Sequence, residues 1–197
     1  EYVEGSDLTK IVRERGPLPI PQACDYIRQA AIGLQHAYER GLVHRDVKPS
    51  NLLLTTKGQV KILDLGLAML KEAPGGENAN RVTQEGLVLG TPDFLAPEQA
   101  QNPAGVDIRA DVYSLGATLF FLLTGKVPYE GANPTEKLLK HITEPPPDLL
   151  PVRPDAPPQL DALVKWVMAK RPDDRPQTPA QVAVALMPFC PVGAASQ

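Results

Sequence analysis

Apolar positions along the chain recur at two spacings. Between Ser6 and Gly16, SDLTKIVRERG sets Leu8, Ile11 and Val12 on one face behind a polar start, with basic residues late and a closing glycine, which predicts a short helix. From Pro21 to Gly41, Ile27, Ala30, Ala31, Leu34 and Tyr38 fall at helical spacing, with proline at the start and glycine just past the end. The spacing predicts a long amphipathic helix. Leu52–Thr55 and Val60–Leu63 flank the turn Thr56-Lys57-Gly58-Gln59, the pattern of a two-stranded hairpin. After a long loop rich in Gly and Asn, the stretch from Asp107 to Gly125 is apolar nearly all round, so it reads as a helix buried on most faces. Further helices are expected over Thr135–Ile142, Gln159–Lys170 and Pro179–Met187. Between the first two, Glu144–Pro158 carries seven prolines. Its PxxP spacings would suit a polyproline ligand, but its flanks favour a loop between late helices. No repeat is visible, and the fold class is mainly α with a small β-hairpin.

Composition narrows the function. The 197 residues are 43% hydrophobic and 22% charged, which fits one globular domain and excludes wholesale disorder. Twenty basic against 23 acidic residues give a net charge of −3. Without a basic field, no nucleic-acid partner is expected. Cys24 and Cys190 form no CxxC pair and have no histidine near them in sequence, which argues for reduced thiols and against a zinc site or disulfide framework. The longest apolar stretch, Leu115–Leu123, is far shorter than the ~20 residues a bilayer crossing needs. No charged-then-apolar leader opens the chain, so no membrane partner is expected in this segment and a cytoplasmic setting is, even where a longer parent is membrane-anchored. The chain opens on Glu1 inside what reads as a structured segment, the mark of a piece of a longer protein.

Chemistry concentrates where the long helix meets the hairpin. There the octet His44-Arg45-Asp46-Val47-Lys48-Pro49-Ser50-Asn51 is followed by Asp64-Leu65-Gly66 beyond the hairpin and by Ala96-Pro97-Glu98 further on. Each motif alone is weak, and the aspartates and asparagine taken singly are ordinary turn residues. In this order, at this spacing and on these elements they resemble the protein kinases: the H-R-D-x-x-x-x-N catalytic loop, the magnesium-binding D-F-G, here with Leu65 in place of the usual Phe as an apolar plug, and the A-P-E motif. The style of ITEPPP and RPDDRPQTP is similar to bacterial kinases of the eukaryote-like type.

That resemblance covers only the larger, C-terminal lobe. It implies residues 1–190 as that lobe, with 1–5 as the hinge, 44–51 as the catalytic loop, 64–98 as the activation segment and 191–197 as a tail. It implies ATP and Mg2+ as cofactors and a protein with a Ser or Thr acceptor as substrate, in phosphorylation-based signalling. Asp46 would take the hydroxyl proton, Lys48 would face the transferred phosphate, and Asn51 and Asp64 would bind magnesium, a hard cation that prefers oxygen ligands. Lys48 also favours serine/threonine over tyrosine specificity. Glu1 and Val3 would meet adenine through backbone groups, Leu53 would lie under its ring, and Asp7 would reach the ribose. For Leu53 the plain alternative is hairpin core.

Other residues would hold or regulate the site. Asp111 resembles the aspartate that binds the catalytic-loop backbone, since a carboxylate entering so apolar a helix needs partners. Glu98 and Arg175 resemble the ion pair that ties the activation segment to the late helices, and His44 reads as structural. Arg45 would pair with a phosphorylated loop residue, for which Thr83 is the best acceptor, and Glu85 stands near it as a fixed negative charge. Thr91 would hydrogen-bond Asp46 and Lys48. No G-x-G-x-x-G loop and no V-A-I-K-type lysine occurs in the chain, so the N-terminal lobe is missing and the isolated residues are expected to be inactive. A non-catalytic scaffold is the alternative, and the retention of Asp46, Lys48, Asn51 and Asp64 speaks for the enzyme.

Overall fold

In the computed structural model, residues 4–64, 92–102 and 105–191 are described. Glu1, Val3, Leu65, Gly66, Thr83, Glu85 and Thr91, with most of the 64–98 segment and of the 191–197 tail, lie outside them.

The chain enters through a short strand, β1 (Gly5–Asp7), and turns at once into α1 (Leu8–Arg15). Asp7 does both jobs: it ends the strand, and its carboxylate accepts the Lys10 amide at 2.9 Å as the helix cap. Leu8, Ile11 and Val12 are buried as their spacing requires. The long helix α2 (Ile20–Tyr38) starts one residue before Pro21. Its apolar stripe is buried as far as Leu34, but Tyr38 is 40% exposed because the helix runs past the core before Gly41 turns it.

β2 (Leu52–Thr55) and β3 (Val60–Ile62) form the expected hairpin. β1 adds to its free edge, giving an antiparallel sheet of order β1-β2-β3 in which Asp7 sits opposite Leu53. A short helix, α3 (Pro97–Gln101), leads into α4 (Ile108–Thr124). In α4 every residue but Arg109 and Phe121 is buried. Asp107 caps its start, and Gly125 closes it in the left-handed conformation (φ 71°) that costs glycine little. α5 (Pro134–Thr143), α6 (Pro158–Val167) and α7 (Pro179–Leu186) complete the lobe.

α4 is the axle: α2 packs on it and on α7, and α6 lies across it. The α4–α6 approach is so close that a Cβ on Gly116 would stand 2.7 Å from Met168 Cγ and 2.8 Å from Val167 Cγ1. The proline-rich stretch between α5 and α6 is built into the body. Leu149 is fully buried, and its amide donates to Asp161. Arg153 donates to the carbonyls of Leu18 and Leu123. Both cysteines are free thiols, and burial pushes Cys24 up to about 12, so it is inert. No helix among the described residues is long and apolar enough to cross a membrane.

Candidate active site

The loop 44–51 begins where Gly41 releases α2 and ends where Pro49 opens a single 3-10 turn into β2. It has no ladder of its own, so its backbone groups are satisfied from elsewhere. Asp111, in the first turn of α4 and 1% exposed, accepts the His44 amide at 2.8 Å and the Arg45 amide at 2.7 Å, one on each carboxylate oxygen. Burial pushes this carboxyl up to about 6, against the pull of the two amides.

Held this way, Arg45 adopts φ 64°, and it shares a positive φ with Asp64 (φ 61°) alone among the described non-glycine residues. Such conformations cost on the order of 1–3 kcal/mol and persist where the surroundings enforce them. At Arg45 the enforcement is visible on both sides of the residue, because its carbonyl accepts from Gln99 Nε2 at 2.7 Å.

The buried His44 ring ties the loop to the sheet. The Leu63 carbonyl, 2.8 Å from Nε2, can only accept, so Nε2 donates and Nδ1 accepts the Asp46 amide at 3.2 Å. One tautomer satisfies both bonds, so both ring nitrogens are committed to backbone groups.

Asp46 stands exposed at the tip of the loop. Its Oδ2 receives Lys48 Nζ at 2.8 Å and Asn51 Nδ2 at 3.1 Å, while Asn51 Nδ2 also donates to the Asp46 carbonyl at 2.8 Å. Both donations come from the amide nitrogen of the buried Asn51, so its oxygen is not what binds Asp46. The Leu63 amide donates to the Asn51 carbonyl at 2.9 Å, so Asp64, the next residue, is carried to the neighbourhood of Asn51. An amide oxygen and an exposed carboxylate at the end of one hairpin fit Mg2+, which takes few protein oxygens and completes its shell with water and phosphate. Among the described residues no group of three or more His, Cys, Asp or Glu converges as a self-contained metal cage. Asp7 and the half-buried Leu53 are direct cross-strand neighbours on the adjoining sheet.

The third part is a clasp. Arg175, 2% exposed, meets Glu98 with both terminal nitrogens, at 2.6 and 2.8 Å. Its other N–H groups donate to the carbonyls of Ala169, Arg109 and Lys170. All five donors are used, and the guanidinium lies 4.9 Å from the Tyr113 ring centre. The structure thus brings together His44, Arg45, Asp46, Lys48, Asn51, Asp64, Glu98, Asp111 and Arg175, with Leu53 and Asp7 beside them.

Gln99 was not anticipated. It sits three residues after Ala96, accepts the Ala96 amide at 3.1 Å and bridges α3 to Arg45. Pro97 at the first helical position with Gln two residues later was the available signal. Also unforeseen is a polar knot behind the clasp. The Tyr113 hydroxyl meets His141 Nδ1 at 2.9 Å, and Lys170 Nζ donates to the Tyr129 hydroxyl and the His141 carbonyl. Burial lowers His141 to about 4 and Lys170 to about 8.

Beside the loop, the positive-φ Arg45 and Asp64 and the Glu98–Arg175 clasp stands a comparison: the protein kinase domain family matches residues 1–186. The chain belongs to that family. It is 39% identical over 187 residues to the serine/threonine-protein kinase PknB of Mycolicibacterium smegmatis, covering 95% of this chain and 29% of that protein. It is 37% identical over 192 residues to PknB of Mycobacterium tuberculosis (95% and 29%), and 41% identical over 176 residues to PknA of the same species (87% and 38%). The chain therefore spans between 29 and 38% of the length of these curated relatives.

Proposed function

We propose that these residues form the larger lobe of a serine/threonine protein kinase that transfers the γ-phosphoryl group of ATP to a protein hydroxyl. The observation that carries the reading is the convergence on Asp46. A carboxylate at the tip of a loop held by Asp111 and His44 is exposed to an incoming hydroxyl, while Lys48 and Asn51 fix one of its oxygens. Asp46 then orients the hydroxyl and receives its proton as the oxygen bonds to phosphorus and the bond to the ADP oxygen breaks. Lys48 supplies positive charge beside that path. Asn51 and Asp64 would hold the magnesium ion, which would supply charge neutralisation for the phosphates. Leu53 and Asp7 offer an apolar surface and an acceptor for the nucleoside.

The reading requires a glycine-rich lid and a phosphate-binding lysine, which these 197 residues lack. Transfer would require both groups from outside these residues. On the same scheme a phosphate on Thr83 would be the partner of Arg45, and Thr91 would serve Asp46 and Lys48, both threonines lying outside the described residues. The test is Asp46→Asn in the protein that carries this chain behind its nucleotide-covering lobe. With a Ser/Thr peptide and radiolabelled Mg-ATP, transfer falls ~100-fold or more, as expected for a lost base, while the circular-dichroism spectrum is unchanged. Wild-type turnover by the variant would refute the assignment.

A further inference from the structure

Among the described residues the exposed large hydrophobics are Ile32, Tyr38, Leu139, Val152, Trp166, Val184 and Met187. The first four are spread over α2, α5 and the proline-rich stretch, as single apolar residues are on any surface. The last three gather on one face, where α6 and α7 line common hollows and the 3-10 turn Met187–Phe189 follows α7. Exposure there is 43% at Trp166, 60% at Val184 and 50% at Met187.

The face has relief. Two open hollows share the Trp166 indole as a wall: one of about 560 Å³ is completed by Leu163, Ala185 and Phe189, and one of about 460 Å³ by Ala180, Val184 and Ala185. Ala162 and Trp166, like Ala180 and Val184, are four residues apart, so each helix contributes one row. Among the described residues the polar side chains around the hollows are Gln159 and Gln181, and no charged one lines either. The frame is firm. The Ala180 amide donates to Gln35 Oε1 at 3.2 Å, which ties the start of α7 to α2, and α6 ends in the close approach at Gly116.

These features select the occupant. A charged peptide or a nucleic acid would find nothing on this face to pair with. A small ligand is held by a cleft that buries most of its surface, whereas both hollows are open. A two-fold contact has other needs: the same patch lies on both sides, so a charge near the axis meets its own like, and the patch must offer a projection and a recess together. Here Trp166 is the projection, the hollow toward Phe189 is the recess, and charge is absent. Tryptophan is also among the side chains that contribute most at such contacts.

We propose that this face joins two copies of the chain about a two-fold axis, the Trp166 indole of each entering the larger hollow of the other. Seven residues line that hollow and five the smaller one, with Trp166 and Ala185 in both. This is well short of the roughly 20–30 residues a side of a standard interface, so the dimer is weak and reversible.

The experiment uses the full 197-residue chain, in which Trp166 is the sole tryptophan, so its emission reads this face and no other. Sedimentation equilibrium and acrylamide quenching are followed from ~1 to ~300 μM, the range in which small interfaces associate. The mass rises toward two copies, and in step with it the Trp166 emission moves to shorter wavelength and its quenching falls. Val184→Lys, at a position open to solvent, leaves the circular-dichroism spectrum unchanged and raises the dissociation constant roughly tenfold or more, because the axis brings like charges together. Gln181→Lys, beside the same hollow, gives the same loss and decides the matter should Val184→Lys fold poorly. Salt at ~1 M does not weaken the wild-type dimer, since no ion pair holds it. A mass that stays at one copy, growth beyond two copies, or undiminished association of both folded lysine variants would overturn the inference. A dimer that leaves the Trp166 emission unmoved would place the contact elsewhere and overturn it too. Emission already shielded at the lowest concentration would mean that another part of the chain covers the face, with the same result.

Discussion

Asp111 holds Arg45 in a conformation that an arginine does not choose for itself. The 2.7 Å bond from the Arg45 amide spans 66 residues of sequence, and at its receiving end the carboxylate is out of contact with water. A residue at φ 64° on a loop without a ladder would otherwise relax and carry Asp46 with it.

Replacing Asp111 with alanine leaves the buried His44 and Arg45 amides without acceptors. The expected loss is about 2–4 kcal/mol in urea unfolding, with Asp111→Asn costing less because it keeps one acceptor.

The same carboxyl gives stability a pH dependence of uncommon sign. Its folded pKa of about 6 lies above the ordinary 3.8, so the folded state binds the proton more tightly and stability falls as pH rises from 3.8 to 6. The slope is up to ~1.4 kcal/mol per pH unit. Asp111→Asn removes it, which unfolding midpoints measured between pH 3.5 and 6.5 would show.

His141 works the other way. Held at about 4 against an ordinary 6.5 by burial and then by the Lys170 charge, it must be deprotonated in the fold, so stability is complete above pH 6.5 and is lost as pH falls toward 4. The groups facing it are Tyr113 on α4, Tyr129, Lys170, the Asp93 backbone, which favours the charged ring, and, one turn back on its own helix, Lys137. In the wild type the two slopes oppose each other between pH 4 and 6. His141→Gln exposes the falling slope of Asp111, and Asp111→Asn exposes the rising one. Parallel pH profiles for both variants would contradict this assignment.

The Glu98–Arg175 clasp is expected to behave as a buried pair that is costly to break. Arg175→Met strands the Glu98 carboxylate and loses ~3–5 kcal/mol, and Glu98→Gln a similar amount. The double variant recovers part of the loss, so a double-mutant cycle in urea reads the coupling.

At Gly116 the limit is steric. Gly116→Val drives a branched side chain into Met168 and Val167, which costs ~1–3 kcal/mol or more. A thermal shift close to zero would mean that α6 can slide away from the axle.

Local pattern was legible wherever a single element determined it. Leu8, Ile11 and Val12 announced α1, and the apolar run from Asp107 to Gly125 announced the axle, because burial leaves a periodic trace. β1 was blurred, since three residues are too few for alternation and Asp7 serves both strand and helix. In the site, Asp46, Asn51 and Asp64 were recognisable as an ordered set of motifs. The bracing was legible only in part: Asp111, Glu98 and Arg175 were read from their motifs, but Gln99 looks like an ordinary polar position on a short helix, and its partner, the Arg45 carbonyl, lies 54 residues away. A polar residue gives no sign in the sequence of which distant group it will meet.

The clasp at Arg175 also orders events in time. Its partner Glu98 leaves the ribosome 77 residues earlier, which at ~5–20 residues per second is on the order of 4–15 s. Through that interval the nascent chain holds the whole octet without the cation that secures α3 beneath it. A translation product ending before Arg175 would keep every letter of the motif and none of the lock, so the competence of this lobe is decided near the end of its synthesis.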